Sequence, residues 1–435
     1  MVSRRKLIQG VGAAALAQNI ESAHAQPSRK WPIEEGADTP KLCLAMGDAG
    51  MQVPGGAPQQ QAPAPAPTGR GGGYGGTLAP RPEAATNAYQ RLRQIGVTHL
   101  LGVNVGGFPW QEENVRRTVQ TARDNGMVAY NAMINIPSSI LYGRDGRDKD
   151  LELVIASIQA AGKGGLTVVE YNFYAHRAIE GYFEQVGRAN AGYTGFDHDL
   201  ELLVNENGAV LPGLLRDDKG RLTPETLAAN PNAKRVKFRD LPPLANEGPH
   251  KLDEMWKNIT YLLKAAVPAA EKAGVRLALH PNDPPAPISR GSQQIMGTVA
   301  GWKHLVEIVD SPANGITFDC GVTREMGEDP VAVANYFASR KRINHIHYRN
   351  VMVERPYEKY SELFIDAGMV DMFGVMKAIV KNKYTGTIYP EHPRALDYDR
   401  DRGRIGGYPG GGGYAGITYS VAYARAMMQA ALESV

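Results

Sequence analysis

LALHPNDPPAP, Leu277 to Pro287, is an apolar run that stops at His280 and gives way to prolines around Asn282 and Asp283. Seven further runs share its first half: KLCLAM from Lys41, VTHLLGV from Val97, MVAYNAM from Met127, LTVVEYNF from Leu166, GITFDC from Gly315, INHIHYR from Ile343 and TGTIYPEH from Thr385. Between the runs lie segments of helical periodicity, such as ENVRRTVQTARDNG, DEMWKNITYLLKAAVPAAEKAG and DPVAVANYFASR. Several of them close on the glycine expected just past a helix C-terminus. Continuous apolar runs suit parallel strands buried on both faces better than half-exposed antiparallel ones. A strand followed by a helix, eight times over, predicts an α/β fold: one (β/α)8 TIM barrel from Lys41 to Val435.

Bulk properties agree with that fold. At 435 residues, 43% hydrophobic and 21% charged, the chain can bury a sizeable core as a single barrel. A net charge of +3 from 48 basic and 45 acidic side chains gives no strong field. No Lys/Arg run interleaves with aromatics, which argues against a nucleic-acid partner. Cys43 and Cys320 are too far apart in sequence for a CxxC knuckle and too few for a disulfide framework. Residues 1–25 have the layout of an export signal, with Arg4 and Arg5, a mildly apolar stretch, and small residues at Ala23 and Ala25. They resemble a twin-arginine signal, so cleavage near Ala25 and a periplasmic location are expected, with 26–40 as a linker. No later run approaches the roughly 18 apolar residues of a membrane span, so no stable membrane insertion is expected. Residues 52–81 are dominated by Pro, Gly, Gln and Ala and read as a flexible insertion after strand one. Residues 174–248, rich in Gly, Asn, Asp and Pro, interrupt the alternation after strand four and are expected to build part of a substrate pocket.

In such a barrel the C-terminal strand ends converge on one face. Strand five ends at His280, strand six at Asp319 and Cys320, strand seven at His347, and strand eight at Glu391 and His392. These ends are spaced about one βα unit, ~30 residues, apart. A mixed His/carboxylate set suits a catalytic divalent ion, Mn²⁺ first with Mg²⁺ or Fe²⁺ as alternatives, rather than a thiolate-rich structural zinc. Successive strand residues face opposite ways, so Asp319 and Cys320 cannot both point inward; Asp319 is favoured and Cys320 is the substitute. His347 lies nearer the rim than His345, which is expected to support the site or the core.

The motifs HPNDPPAP, SPANGITF followed by EMGEDPVAVANYFASR, INHIHYRNV, AGMVDM, YPEH and GYAGITYSVAYARAMMQAAL together resemble the mannonate dehydratase family. The resemblance spans Lys41 to Val435 apart from the Pro/Gly insertion. It implies a metal-dependent barrel related to xylose isomerase that converts D-mannonate to 2-keto-3-deoxy-D-gluconate. His280 and His347 match the family's metal-binding histidines, and Asp319 falls where the family has a metal-binding cysteine. Glu391 and His392 fall on its Asp-His pair, in which the acid binds metal and the histidine moves protons. Tyr414 is the best match to its catalytic tyrosine. Arg349 and Asn350 are candidates to hold the substrate's carboxylate or hydroxyls, as is Asn172 at the end of the fourth run. The chain departs from the family at Asn282, where an aspartate is usual, at Glu391, one methylene longer, and at EHPR, where Asp-His-Gly-Arg is usual. A carboxylate in place of a thiolate favours harder ions. Two readings compete: a metal-dependent isomerase or epimerase on the same barrel, and an exported sugar-acid binding protein without turnover. A homo-oligomer is compatible with all three.

Overall fold

Eight parallel strands close on themselves: β1 (Lys41–Leu44), β2 (His99–Leu100), β3 (Val128–Ala129 and Asn131–Ile134), β4 (Val168–Tyr171), β5 (Arg276–Leu279), β6 (Asn314–Asp319), β7 (Ile343–His347) and β8 (Thr387–Tyr389). Each pairs with its sequence neighbour, and Lys41 of β1 pairs with Thr387 of β8 to complete the ring. The first segment of β3 pairs with β2 and the second with β4. The computed structural model describes residues 35–50, 87–243, 247–401 and 408–435. The expected export signal, the linker up to residue 34 and the Pro/Gly insertion lie outside them. Among the described residues, no helix is long and apolar enough to cross a membrane.

The helices start and stop where local chemistry dictates. Thr298, Asp329 and Asp371 each accept a hydrogen bond from a backbone N–H of the first turn of Val299–Ile308, Pro330–Ser339 and Met372–Lys381. Such a cap contributes about 1 kcal/mol. Gly165 and Gly274 end Arg147–Gly164 and Leu252–Ala273 in the left-handed region, at φ 98° and 69°, where a side chain would be strained.

Alternation along the strands divides two environments. Leu277, Leu279, Ile316, Phe318, Ile346 and Ile388 are buried in the main hydrophobic cluster with the helices. The intervening residues form a polar ladder instead: Thr317 donates to Glu170 at 2.7 Å, and His345 meets Thr387 at 2.8 Å. The strands read as apolar because one face packs on helices, while the other delivers polar groups to the site.

A second sheet stands apart from the barrel ladder. Its order is Val351–Arg355, Lys359–Glu362, Gly192–Asp197, Tyr182–Val186, all antiparallel. The first two strands follow β7 and the last two belong to the excursion after β4. Its own core gathers Tyr182, Phe183, Phe196, Phe238 and Tyr360.

Candidate active site at the barrel mouth

The four strand ends meet. Nδ1 of His347 lies 2.9 Å from Glu391 Oε1, 3.2 Å from His280 Nε2 and 3.9 Å from Asp319 Oδ2. Asp319, His347 and Glu391 each offer a ligand atom within 4.8 Å of the others, and all three are buried. The other nitrogen of His280 donates to the Pro281 carbonyl at 2.8 Å, which fixes the ring with Nε2 toward His347. Register separates Asp319 from Cys320: Asp319 ends β6 facing the cluster, whereas Cys320 opens the helix Cys320–Glu325 and its thiol donates to the Arg349 carbonyl. Burial pushes that thiol well above the ordinary thiol range, so it stays protonated and is not available as a ligand.

The electrostatics of this cluster fit a divalent cation. Two imidazole nitrogens facing each other at 3.2 Å share at most one proton, and Glu391 Oε1 lies 2.9 Å from the same nitrogen of His347. A cation held by these groups satisfies both kinds of lone pair. Burial alone disfavours charge on His347, yet Glu391, Glu170 and Asp319 around it raise its imidazolium to about 9. Burial raises Asp319 to about 6 against the pull of Arg349, while the imidazoles of His347 and His392 hold Glu391 well below the carboxylate range despite its burial. Behind His347, Glu170 Oε1 lies 4.0 Å from Nε2 and is itself held by Thr317 and Asn131. At 4.0 Å the Glu170 carboxylate acts on the His347 ring through its charge, without a hydrogen bond.

Beside the cluster opens a cavity of about 330 Å³ lined by His280, His347, Glu391 and His392, with Asp48, Arg177 and Tyr408 on its other walls. His392 is thus placed where a proton donor or acceptor can reach a bound molecule. Its backbone sits at φ 49°, a left-handed conformation that costs a non-glycine residue about 1–3 kcal/mol and that clusters at functional sites.

Four expected site residues lie elsewhere. The hydroxyl of Tyr414 donates to the Arg91 carbonyl at 3.0 Å, outside the cavity wall; Tyr389 and Tyr408 are the tyrosines on that wall, and the ring of Tyr408 lies 4.7 Å from that of His392. Arg349 is only 2% exposed and lies between 2.7 and 3.6 Å from five carboxylates, those of Asp283, Asp319, Glu325, Glu362 and Glu391, so no face is left for a substrate. Asn350 spends its side chain on the backbone of Ile365, Val351 and Val370. Asn172 touches the sulfur of Met133, which lines the cavity, but does not line it itself. His345 is buried against Thr387, as expected of a supporting residue.

Sequence reading also missed groups. Glu170 had a signal, a lone acid inside the apolar run VVEY. Asp48, Arg177 and Tyr408 had none, because Asp48 sits in the short 3-10 helix Met46–Ala49 and the other two in loops, and their approach to the mouth depends on the folded chain.

Residues 83–434 match the family described as D-mannonate dehydratase (UxuA). The chain is 29% identical over 345 residues to the mannonate dehydratase of Streptococcus equi subsp. zooepidemicus, covering 77% of this chain and 88% of that protein. It is 28% identical over 357 residues to that of Thermotoga maritima, covering 74% and 90%. The crystal structure of mannonate dehydratase from Streptococcus suis serotype 2 superposes with a TM-score of 0.62 at 24% identity, over 80% of this chain and 91% of that one, a likeness of fold. Matched to the family over most of its length, with the barrel and the mouth cluster in place, this chain belongs to the D-mannonate dehydratase family.

Proposed function

We propose that the protein removes water from a sugar acid, D-mannonate first, to give 2-keto-3-deoxy-D-gluconate. The observation that carries this reading is the convergence of His280, Asp319, His347 and Glu391 beside a cavity that also presents His392. These four would hold a divalent ion, Mn²⁺ before Mg²⁺ or Fe²⁺ because carboxylates outnumber soft ligands. Such an ion supplies Lewis acidity to the substrate's carboxylate and neighbouring hydroxyl, where negative charge grows as the C2 proton leaves.

The chain's own residues manage the protons. His392 and Tyr408 form the proton-transfer pair: one takes the proton from C2, the other protonates the departing C3 hydroxyl, and water leaves. The enol that remains gives up its C2 hydroxyl proton as C3 is protonated, and becomes the 2-keto-3-deoxy acid. An imidazole suits this work because its charge changes near neutrality. Among the described residues, no carboxylate pairs with Arg177, a cation on the cavity wall, so it is placed to receive the anionic end of the substrate. Its hydrogen bond to the Tyr408 hydroxyl joins substrate recognition to the proton-transfer pair.

Metal-reconstituted protein incubated with a panel of aldonic acids tests the reading. Formation of a 2-keto-3-deoxy product from D-mannonate supports it; conversion without loss of water assigns an isomerase or epimerase, and stabilisation without product assigns a binding protein. We also propose export through the N-terminal signal, checked by the mass of the mature chain recovered from the periplasm.

A further inference from the structure

His392 is held from behind by groups that come from distant parts of the chain. Its carbonyl accepts from Nε and Nη2 of Arg394, at 2.9 and 2.6 Å, which fastens the left-handed backbone at this position. Its Nδ1 lies 3.0 Å from Oε2 of Glu362, and the same carboxylate oxygen accepts from Arg394 at 3.0 Å. Arg394 is completed by the Thr194 hydroxyl at 2.7 Å. Glu362 and Arg394 are each 1% exposed, and Thr194 is fully buried. Glu362 and Thr194 stand opposite each other in the antiparallel sheet, one from the hairpin after β7 and the other from the excursion after β4.

A carboxylate on one imidazole nitrogen fixes which way the other nitrogen points and keeps the proton on the near one. With Nδ1 turned to Glu362, Nε2 faces the side of Glu391, 3.5 Å away, along the cavity wall. We propose that Glu362 is a positioning residue for His392, locked by Arg394 and Thr194, so that the antiparallel sheet aims the imidazole at the substrate. This rests on the dehydratase reading for its kinetic arm only. It explains why a barrel with its ligands already on strand ends carries a second sheet, and why a buried acid with no place in the metal cluster persists beside it.

The test uses the full-length, metal-loaded protein and the variants Glu362→Gln and Glu362→Asp, with kcat and KM for D-mannonate, bound metal per chain, and, on protein loaded with diamagnetic Mg²⁺, the ¹⁵N-coupled Nδ1 proton resonance of His392, assigned by its loss in His392→Gln. Glu362→Gln is expected to lower kcat about 10²-fold, with KM and bound metal near wild type and the Nδ1 resonance moved upfield, while Glu362→Asp recovers part of kcat. Wild-type kcat in Glu362→Gln, or an unmoved resonance, overturns the proposal. Loss of bound metal in that variant also overturns it, by assigning Glu362 to a metal through the group it forms with Asp283 and His392. If Glu362→Gln does not fold, the same readings on Glu362→Asp decide. A wild-type protein inactive on every aldonic acid sinks the dehydratase reading alone, since the resonance still reports whether Glu362 holds the ring.

Discussion

The two sheets supply the site in different ways. The parallel barrel presents His280, Asp319 and His347 from the ends of strands that neighbour each other in sequence order, with the polar residues Thr317 and His345 two steps below Asp319 and His347. The antiparallel sheet supplies Glu362 and Thr194 by pairing strands from two separate excursions, and these grip the loop that carries His392. The barrel concentrates ligands because its geometry forces strand ends together. The second sheet adds orientation, which the barrel ladder alone does not give to a residue beyond the end of β8. Arg349 stands between the two, touching Asp319 and Glu391 on one side and Glu362 and Asp283 on the other.

This division can be broken at each level. The largest effect is expected at the mouth: His347→Ala removes the hub of the cluster, and kcat/KM should fall by about 10³-fold or more together with bound metal, since the cation's several kcal/mol of charge stabilisation goes with it. If His347→Ala kept its metal, the four strand ends would not form one centre. His392→Ala should instead keep the metal and lose about 10²- to 10⁴-fold in kcat, the usual worth of a proton-transfer group. Normal turnover in that variant removes His392 from the chemistry.

Arg349→Met tests the join. It strands five buried carboxylates, and urea unfolding should show a loss of about 3–5 kcal/mol. Thr194→Val touches only the far support of Arg394 and should cost about 1 kcal/mol in the same assay. A loss at Thr194 equal to that at Arg349 would mean that the second sheet, not the ion cluster, holds the mouth together.

A separate effect is one of pH. In metal-free protein the His347 imidazolium is raised from 6.5 to about 9, so it contributes stability that is full below pH 6.5 and lost as pH rises through 9. Asp319, raised from 3.8 to about 6, acts in the same direction at lower pH, its contribution being full below 3.8 and lost through 6. The Tm of chelator-treated protein should therefore fall between pH 6.5 and 9 more than that of His347→Gln; equal falls would exclude the imidazolium as the cause.

The eight runs and the polar residues that end them were legible because strand periodicity and barrel closure are local rules repeated eight times. Glu170 was legible in principle, as a charge inside VVEY, since an acid within a buried run needs a partner across the barrel. The choice between Asp319 and Cys320 rested on alternation; in the structure β6 ends at Asp319, beside the cluster, and a helix starts at Cys320, whose thiol meets the Arg349 carbonyl. Tyr414 and Arg349 stand away from the cavity for opposite reasons. Tyr414 matched by its place in a motif, yet the start of the last helix turns its hydroxyl to Arg91. Arg349 follows a ligand and carries the charge a sugar acid needs, but the carboxylates that consume that charge come from five other segments.

The amino-acid sequence by itself thus determined the barrel, its strand order and the histidine- and acid-bearing strand ends, because those follow from side-chain period and chain connectivity. Only the tertiary structure decided which polar groups are free to meet a substrate and which are spent on one another. That choice depends on distances between residues as far apart as Thr194 and Arg394, and no local pattern encodes them.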